Sequence, residues 1–250
     1  MGSLRPGLMA ALPPWEPRSL SWPWARGEQV HLALCPFPSD GQGLEQAPSL
    51  PEPPHLIGAV ARRRAEYRAG RLAACHALNA LGLPAEQCRP PIMGGDGAPR
   101  WPAGVLGSIT HCPGYALAAV TRSGPTLGLG LDMEPLLDPS GAEVLAREFL
   151  SPAECALIRP VRPTLGVTAL LSIKESAYKA LSRHARSSFH LDRIHVRLWS
   201  PALDWAWAEP ETGQIPGWPP GHAVQVRWRQ VGRWIVSGCV MVGREGVSGG

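Results

Sequence analysis

The amino-acid sequence predicts an α+β protein made of two similar lobes, each a small antiparallel sheet packed on one long helix. Two observations support this fold class. A long pattern with helical period occurs once in each half of the chain, at residues 56–81 and again around 170–181. Short alternating segments, separated by turns rich in Gly and Pro, accompany both helices. The order of strand, long helix and strands therefore occurs twice, which predicts a pseudo-repeat in architecture.

The predicted domain boundaries follow composition. With 250 residues, the chain can bury a sizeable core in each lobe. Residues 1–26 are rich in Pro, Trp and Arg and show no period, so we expect an irregular N-terminal arm. We expect the N-terminal lobe to cover 27–122, the C-terminal lobe to cover 123–242, and residues 243–250 to form a flexible tail.

The N-terminal lobe begins with a strand and a long helix. Glu28–Leu34 alternates as a strand, with Leu32 and Leu34 on one face. Apolar positions then recur with helical period over Leu56–Leu81, and Gly82 directly follows. A glycine at that position is a common helix stop, so the sequence predicts one helix that ends there.

Three strands are predicted in the middle of the chain. Val105–His111 and Tyr115–Thr121 flank a short Pro-Gly turn, which is typical of a hairpin. A third strand begins at Leu127, so we expect a three-stranded meander.

The C-terminal lobe is predicted to hold three helices and three further strands. Ser151, Pro152 and Glu154 have the spacing of an N-cap, a first-turn proline and a capping-box acid, which predicts a short helix after them. The other elements are a helix at Pro139–Leu150 with Val144 pointing inward, the long helix including Leu170–Leu181, a strand at Ile194–Leu198, and a hairpin of His222–Arg229 with Arg233–Val242.

Composition narrows the classes of partner. The formal charge of +4 suits an anionic small molecule or an acidic protein surface, and is too small by itself to indicate nucleic acid. The six cysteines are scattered without a C-x-x-C pair, which favours reduced thiols and a cytoplasmic protein. No apolar run is long enough to span a membrane, and the N-terminus makes a poor signal peptide, so we expect no membrane association.

Three carboxylates suggest a metal site. Asp132 and Glu134 end an apolar, Gly-rich strand and are separated by one residue, so both side chains point to the same face. Glu175 lies on the long helix, four residues before Lys179. Three hard oxygen ligands suit Mg²⁺. The alternative is that the two acids only end a strand and that Glu175 and Lys179 decorate a solvated helix face.

Basic residues of the first long helix suggest an anion site. Arg63, Arg64 and Arg71 are among five arginines on that helix, and guanidinium geometry matches phosphate. The alternative is an ordinary solvated face. His111 is either a buried core residue or a phosphate ligand, and its own strand does not decide between the two.

Together, several segments resemble the 4′-phosphopantetheinyl transferases, and most closely the monomeric two-lobed enterobactin-synthetase component D branch. These segments occur in the same order and at similar gaps in that family, and the resemblance is strongest over residues 56–200. They are Arg64-Ala65-Glu66-Tyr67, Ala69-Gly70-Arg71-Leu72, Trp101-Pro102-x-Gly104, Gly107-Ser108-Ile109-Thr110-His111, Leu129-Gly130-Leu131-Asp132-Met133-Glu134, Phe149-Leu150-Ser151-Pro152-x-Glu154 and Ser172-Ile173-Lys174-Glu175-Ser176-Ala177-Tyr178-Lys179.

The resemblance implies a fold, a reaction and a site. It implies two lobes related by pseudo-twofold symmetry, with coenzyme A bound between them and Mg²⁺ on its diphosphate. A serine of an apo acyl or peptidyl carrier protein would accept phosphopantetheine, with release of 3′,5′-ADP, in siderophore, polyketide or nonribosomal peptide biosynthesis.

Carried over by position, the metal ligands are Asp132, Glu134 and Glu175, and the catalytic residues are Glu175 as general base, Lys179 and Asp132. The groups expected to bind coenzyme A are Arg63, Arg64, Arg71, Arg100, Thr110, His111, Lys174 and Lys179.

Two departures from the family pattern affect this interpretation. Met133 is neutral between the two acids, so water or the diphosphate must complete the metal shell. Glu66 stands where some relatives have a basic residue, which moves the 3′-phosphate contact to neighbouring arginines. The alternatives are a non-catalytic homologue that only binds carrier proteins, and another Mg²⁺-dependent phosphoesterase such as a nuclease.

Overall fold

The computed structural model describes residues 2–3, 13–22, 29–124, 126–187 and 189–242. The chain forms two compact units. Among the described residues, unit 1 comprises 2–3, 13–22 and 29–122, and unit 2 comprises 123–124, 126–187 and 189–242. In each unit one long helix packs on a mainly antiparallel sheet. The predicted α+β class with two lobes is thus confirmed.

Unit 1 is a five-stranded sheet that carries one long helix, α1, at Ala61–Ala80. The sheet order is β1-β2-β3-β7-β6, antiparallel except for the short parallel pair of β1 and β2. A separate two-stranded hairpin, β4 with β5, lies within the segment between α1 and β6. The strands are β1 at Gly2–Ser3, β2 at Arg18–Ser21, β3 at His31–Pro36, β4 at Ile92–Met93, β5 at Pro99–Arg100, β6 at Val105–Cys112 and β7 at Tyr115–Arg122.

Small side chains let α1 lie close to this sheet. Ala65, Ala69, Ala73 and Ala77 recur every four residues on one helix face, and all are almost fully buried. They pack in one core with alanines of β3 and β7. Each buried alanine contributes little hydrophobic free energy, so van der Waals contact between the closely packed backbones supplies much of the attraction between helix and sheet.

The predicted first helix begins later than expected and ends as expected. Pro54–Leu56 forms a 3₁₀ turn, and Ile57 and Val60 are exposed, so the apolar residues before Ala61 do not belong to the helical face. Gly82 has φ of 75°, a left-handed conformation that glycine adopts without strain, and the helix stops directly before it.

The expectation of an irregular N-terminal arm is wrong for residues 18–21. These residues form β2, which pairs with β3 so that Leu20 lies opposite Leu32. Only Leu20 is buried within this short strand, so no alternation was visible in the sequence. Elsewhere in the predicted arm, residues 2–3 form β1, and Trp15 and Trp22 are buried. Positions 1, 4–12 and 23–26 lie outside the described residues, as does the predicted tail at 243–250.

Unit 2 is a five-stranded antiparallel sheet covered by helices. The sheet order is β8-β12-β11-β10-β9. Its strands are β8 at Thr126–Pro135, β9 at Ile194–Ser200, β10 at Trp205–Pro210, β11 at Val224–Val231 and β12 at Trp234–Val242. Its helices are α2 at Pro139–Phe149, α3 at Pro152–Leu157 and α4 at Pro163–Leu181.

The core of unit 2 lies between α4 and its sheet. Apolar residues of α4, including Leu170, Ile173 and Leu181, are fully buried there. Val226 of β11 and Ile235 of β12 line the opposite side. The helix predicted around residues 170–181 is therefore the central element of unit 2.

Three expectations about individual elements are wrong. The strand that begins near Leu127 does not extend a meander, because β8 pairs with β12 in the sheet of unit 2. Strand β10 was not predicted, although Trp and Ala alternate over 205–208. Val144 is 59% exposed, and Ala142 turns toward the core in its place.

None of the helices among the described residues is both long and apolar enough to cross a membrane.

Candidate active site

The candidate site of unit 2 starts from two glycines on β8. Gly128, Gly130, Asp132 and Glu134 alternate along one face of that strand. A side chain on Gly130 would overlap the backbone of Ser176 on α4, so this face lies directly against the helix. The two acids follow the glycines on the same face, which places them beside α4 as well.

One lysine of α4 meets the first acid. The Lys179 ammonium donates to Asp132 Oδ1 at 2.8 Å and to the carbonyl oxygen of Leu131 at 3.1 Å. The side chain of Asp132 is 3% exposed and that of Lys179 is 27% exposed. The pair is thus largely shielded on the acid side and reachable on the lysine side.

A pair of serines fixes the helix beside the acids. Ser237 of β12 lies opposite Asp132 in the sheet, and its hydroxyl donates to the carbonyl oxygen of Ser172 at 2.7 Å. The two hydroxyl oxygens are 2.9 Å apart, and both residues are fully buried. Because each buried hydroxyl has a partner, this contact ties α4 to the sheet without an unpaired polar group.

Mutual repulsion marks the three carboxylates as one electrostatic cluster. Burial, together with the nearby charge of Asp132, raises the pKa of Glu134 to about 7 although Lys179 opposes the rise. Burial also raises the pKa of Glu175, with Lys179 opposing and Asp132 adding to the shift.

The lysine in this cluster stays charged. Burial alone would lower the pKa of Lys179, but the charges of Asp132 and Glu175 outweigh it and raise that pKa. The cluster therefore combines two acids with raised pKa values, Glu134 and Glu175, with a fixed cation.

The donor chemistry of this cluster fits Mg²⁺. Asp132, Glu134 and Glu175 offer hard carboxylate oxygens, and a divalent cation would offset both the burial and the nearby negative charge that raise the pKa of Glu134. Within the part of the chain that the structure describes, no group of three or more His, Cys, Asp or Glu is arranged to hold a metal ion. Magnesium at this site would therefore depend on oxygens from substrate and water as well.

The placement of Lys174 corrects the expectation that it contacts coenzyme A. Its side chain is 1% exposed, and its ammonium donates to the carbonyl oxygen of Phe149 at 2.6 Å and to Glu154 at 3.1 Å. Successive residues of a helix are rotated by about 100°. Lys174 consequently lies in the core, while the next residue, Glu175, belongs to the acid cluster.

Unit 1 brings together two of the predicted basic groups. Arg63 of α1 lies 3.0 Å from His111 Nε2 on β6 and 3.2 Å from a carboxylate oxygen of Glu66. The side chain of Arg63 is 51% exposed and that of His111 is 35% exposed. Glu66, which departs from the family pattern, thus partly neutralises this basic group.

The other predicted ligands of unit 1 do not join that group. Arg64 donates to Glu52 at 2.8 Å. Arg71 is 5% exposed and stacks over the Tyr67 ring at 4.5 Å, and burial lowers its pKa.

Two further predicted ligands occupy separate places. Arg100 belongs to the β4–β5 hairpin and lies 3.3 Å from Asp96. Thr110 is 5% exposed. It lies between Ile109 and His111 on β6, and successive side chains of a strand alternate, so Thr110 points to the opposite face from both.

Two acids outside the predicted site organise these regions, Glu154, which is buried, and Glu52, whose side chain is 12% exposed. Glu52 binds both Arg64 and Arg68, at 2.8 and 2.7 Å, and so ties the segment before α1 to that helix. Glu154 was recognised only as a helix cap, yet it is 1% exposed and pairs with Lys174. The cap spacing was a usable signal for Glu154, whereas a single Glu in a Pro-rich loop gave none for Glu52.

Comparison with known proteins gives two adjacent family matches. The 4′-phosphopantetheinyl transferase N-terminal domain matches residues 43–121, and the 4′-phosphopantetheinyl transferase superfamily domain matches residues 128–206. The second match contains the whole acid and lysine cluster. The chain belongs to the 4′-phosphopantetheinyl transferase superfamily.

Individual relatives refine this assignment. The chain is 33% identical over 181 residues to 4′-phosphopantetheinyl transferase PptT of Mycobacterium tuberculosis, covering 70% of this chain and 74% of that protein. It is 37% identical over 135 residues to enterobactin synthase component D of Salmonella typhimurium, covering 53% of this chain and 54% of that protein. It is 42% identical over 133 residues to 4′-phosphopantetheinyl transferase Svp of Streptomyces mobaraensis, covering 52% of each. The predicted resemblance to the enterobactin-synthetase branch is confirmed.

The matched region spans only about half the length of the enterobactin synthase component D and Svp relatives. The family follows from the comparisons, whereas the activity of the whole chain is a matter for experiment.

Proposed function

We propose that this protein transfers the 4′-phosphopantetheine group of coenzyme A to a serine of an apo acyl or peptidyl carrier protein and releases 3′,5′-ADP. One observation carries the proposal. Asp132, Glu134, Glu175 and Lys179, all within the domain that matches the family, form one electrostatic cluster where β8 meets α4. Such a cluster combines a base, a fixed cation and hard metal ligands, which together suit phosphoryl-group transfer.

Glu175 is the proposed general base. Its pKa is raised by burial, so the ionised carboxylate accepts a proton more readily near neutral pH than an exposed glutamate does. It would take the proton of the carrier serine hydroxyl, directly or through a water molecule, as that oxygen attacks the β-phosphorus.

Lys179 is the proposed cation for the phosphate oxygens. Its raised pKa keeps it charged, and Asp132 holds it by a hydrogen bond of 2.8 Å. Asp132, Glu134 and Glu175 would hold Mg²⁺, which when bound offsets negative charge on the diphosphate.

The basic groups of unit 1 are proposed to bind the anionic parts of coenzyme A. Arg63 and His111 are the best supported, because they lie 3.0 Å apart and are both partly exposed. Replacing Arg63 by Gln should raise the KM for coenzyme A and leave kcat nearly unchanged, since the guanidinium would contact ground state and transition state alike. Arg64, Arg71 and Arg100 are retained as weaker candidates.

The partner is proposed to be an acidic carrier protein, because the net charge of +4 favours association with an acidic surface. All six cysteines are free thiols, which supports a proposed cytoplasmic location. We propose that the protein acts as a monomer without nucleic acid or membrane. Light scattering of the purified chain tests the monomeric state, and fractionation of cells tests the absence of membrane association.

The deciding experiment is the intact mass of an apo carrier protein after incubation with this protein, coenzyme A and Mg²⁺. We expect a gain of about 340 Da, the mass of the transferred group in phosphoryl transfer from coenzyme A. The gain should disappear with Glu175→Gln and persist with Glu143→Gln, an exposed acid on α2 that pairs with Arg147. Adding a chelator should abolish the gain, and restoring Mg²⁺ should recover it.

Two other outcomes would refute the proposal. Carrier binding without a mass gain, across several carrier types and with coenzyme A bound, would indicate a non-catalytic binding protein. Hydrolysis of a phosphodiester in the absence of any carrier would indicate a phosphoesterase.

A further inference from the structure

Glu154 joins three elements of unit 2 from within the core. Its Oε2 accepts from the Ser151 backbone N–H at 2.8 Å, at the start of α3. Its Oε1 accepts from the Val196 backbone N–H of β9, also at 2.8 Å. The Lys174 ammonium of α4 lies 3.1 Å from the same carboxylate. A carboxylate with this many donors has its charge well satisfied despite being 1% exposed.

Lys174 adds a fourth element to this contact. Its ammonium also donates to the carbonyl oxygen of Phe149, at the end of α2, at 2.6 Å. The pair therefore ties α4 to the end of α2, the start of α3 and the edge strand β9. These directional bonds fix both the rotation of α4 about its axis and its position along it.

Apolar packing alone would define α4 less sharply. Leu170, Ile173 and Leu181 fill the core on one helix face, and such contacts are non-directional. A buried ion pair usually adds little stability over apolar residues of the same volume. We therefore expect this pair to fix the position of α4 more than it adds to the stability of the fold.

We infer that Glu154 and Lys174 form a positioning pair that sets where Glu175 and Lys179 reach from α4. The inference rests on the proposed function, since it concerns the residues assigned to the transfer reaction. Glu175 follows Lys174 directly. Lys179 lies five residues after Lys174, about one and a half helical turns further along α4. A small rotation of α4 would move both away from Asp132, and displacements of about 1 Å in an active site can cost on the order of a hundredfold in rate.

The first test is kinetic, with two variants and a control. Glu154→Gln keeps the shape of the side chain, and Lys174→Met removes the ammonium while keeping its length. Leu170→Ala on the same helix removes apolar volume from the core but keeps both charged groups of the pair, which makes it the matched control. All assays are run well below the melting temperature of every variant.

We expect kcat for carrier modification to fall about tenfold or more in both variants, with KM for coenzyme A within about twofold of the starting protein. The control should retain kcat even where it unfolds more easily. The double variant should lose about as much as the worse single variant, because the two groups act as a unit. Equal losses of kcat in the control, or full kcat in Lys174→Met, would overturn the inference.

A second readout is independent of activity and uses an unusual property of the sequence. The chain contains only two lysines, Lys174 and Lys179. Protein labelled with ¹⁵N-lysine therefore gives two side-chain resonances, and Lys174→Met leaves the Lys179 signal alone. Positioning predicts that the Lys179 resonance shifts in Glu154→Gln and Lys174→Met and stays in place in Leu170→Ala.

The two readouts separate the failure of each proposal. An unshifted Lys179 resonance in both variants would refute positioning, whatever the protein catalyses. A shifted resonance in a protein that modifies no carrier would retain the positioning role and refute the transfer reaction instead.

Discussion

Replacing Glu134 by Gln should change the pH dependence of stability in a defined direction. Burial and the charge of Asp132 raise the pKa of Glu134 from its usual 4.5 to about 7. The folded protein therefore binds this proton more tightly than the unfolded chain does. A group of this kind contributes stability that is fully present below pH 4.5 and is lost as the pH rises through about 7.

The expected magnitude follows from the same values. Each pH unit between the two pKa values is worth about 1.4 kcal/mol, so Glu134 should cost the folded protein about 3 kcal/mol on going from pH 4 to pH 8. Gln has the same shape and no charge to repel. From pH 4 to pH 8, the free energy of unfolding of the variant should therefore rise by about 3 kcal/mol relative to that of the starting protein.

Urea unfolding followed by tryptophan fluorescence, repeated across this pH range in a chelating buffer, measures the effect. Glu143→Gln, an exposed acid of the same unit, should show the pH dependence of the starting protein. Parallel curves for Glu134→Gln and the starting protein would show that burial and the nearby carboxylates do not raise the pKa of Glu134 as described. Mg²⁺ should reduce the loss at high pH in the starting protein and have little effect on the variant.

Three further predictions concern stability. Gly130→Ala should destabilise by about 2 kcal/mol or more, because its Cβ would overlap the Ser176 backbone, whereas Gly95→Ala has open space and should be nearly neutral in the same denaturation assay. Glu52→Gln should lower the free energy of unfolding by about 1–3 kcal/mol at pH 7. Two arginines hold the pKa of Glu52 below its usual range, although burial opposes them. The difference in unfolding free energy between variant and starting protein should therefore vanish as the pH falls through that lowered pKa. Ser151→Ala removes the oxygen that caps α3 and should lower the urea midpoint by the equivalent of about 1 kcal/mol; an unchanged midpoint would mean that the cap is not formed in solution.

Much of the candidate site could be predicted from local sequence because its signals are local. The alternation of Gly130, Asp132 and Glu134 fixes a common face in any extended strand. The spacing of Glu175 and Lys179 fixes a common side of any helix. These relations hold wherever the elements end up, so Asp132 could be grouped with Glu134, and Glu175 with Lys179, before any tertiary information. Only the fold brings the two pairs together.

Which neighbour each side chain meets was decided by tertiary structure. Lys174 and Glu175 are adjacent and both charged. Lys174 is nevertheless buried in an ion pair with Glu154, whereas Glu175 belongs to the acid cluster. Arg64 was an equally good candidate ligand to Arg63, but a loop acid twelve residues earlier, Glu52, binds it instead. Long-range partners of this kind leave no periodic trace in the sequence.

The sequence by itself determined the two long helices, most of the strands and the family, since helical period, caps and motif order are properties of short segments. Only the tertiary structure decided which face of a strand turns toward the helix. Both faces of β3 are buried, Leu32 and Leu34 on one and Ala33 and Cys35 on the other, and it is the smaller pair that lies in the core with α1. When both faces are apolar, alternation carries no direction, and the close approach of helix and sheet selects the smaller side chains.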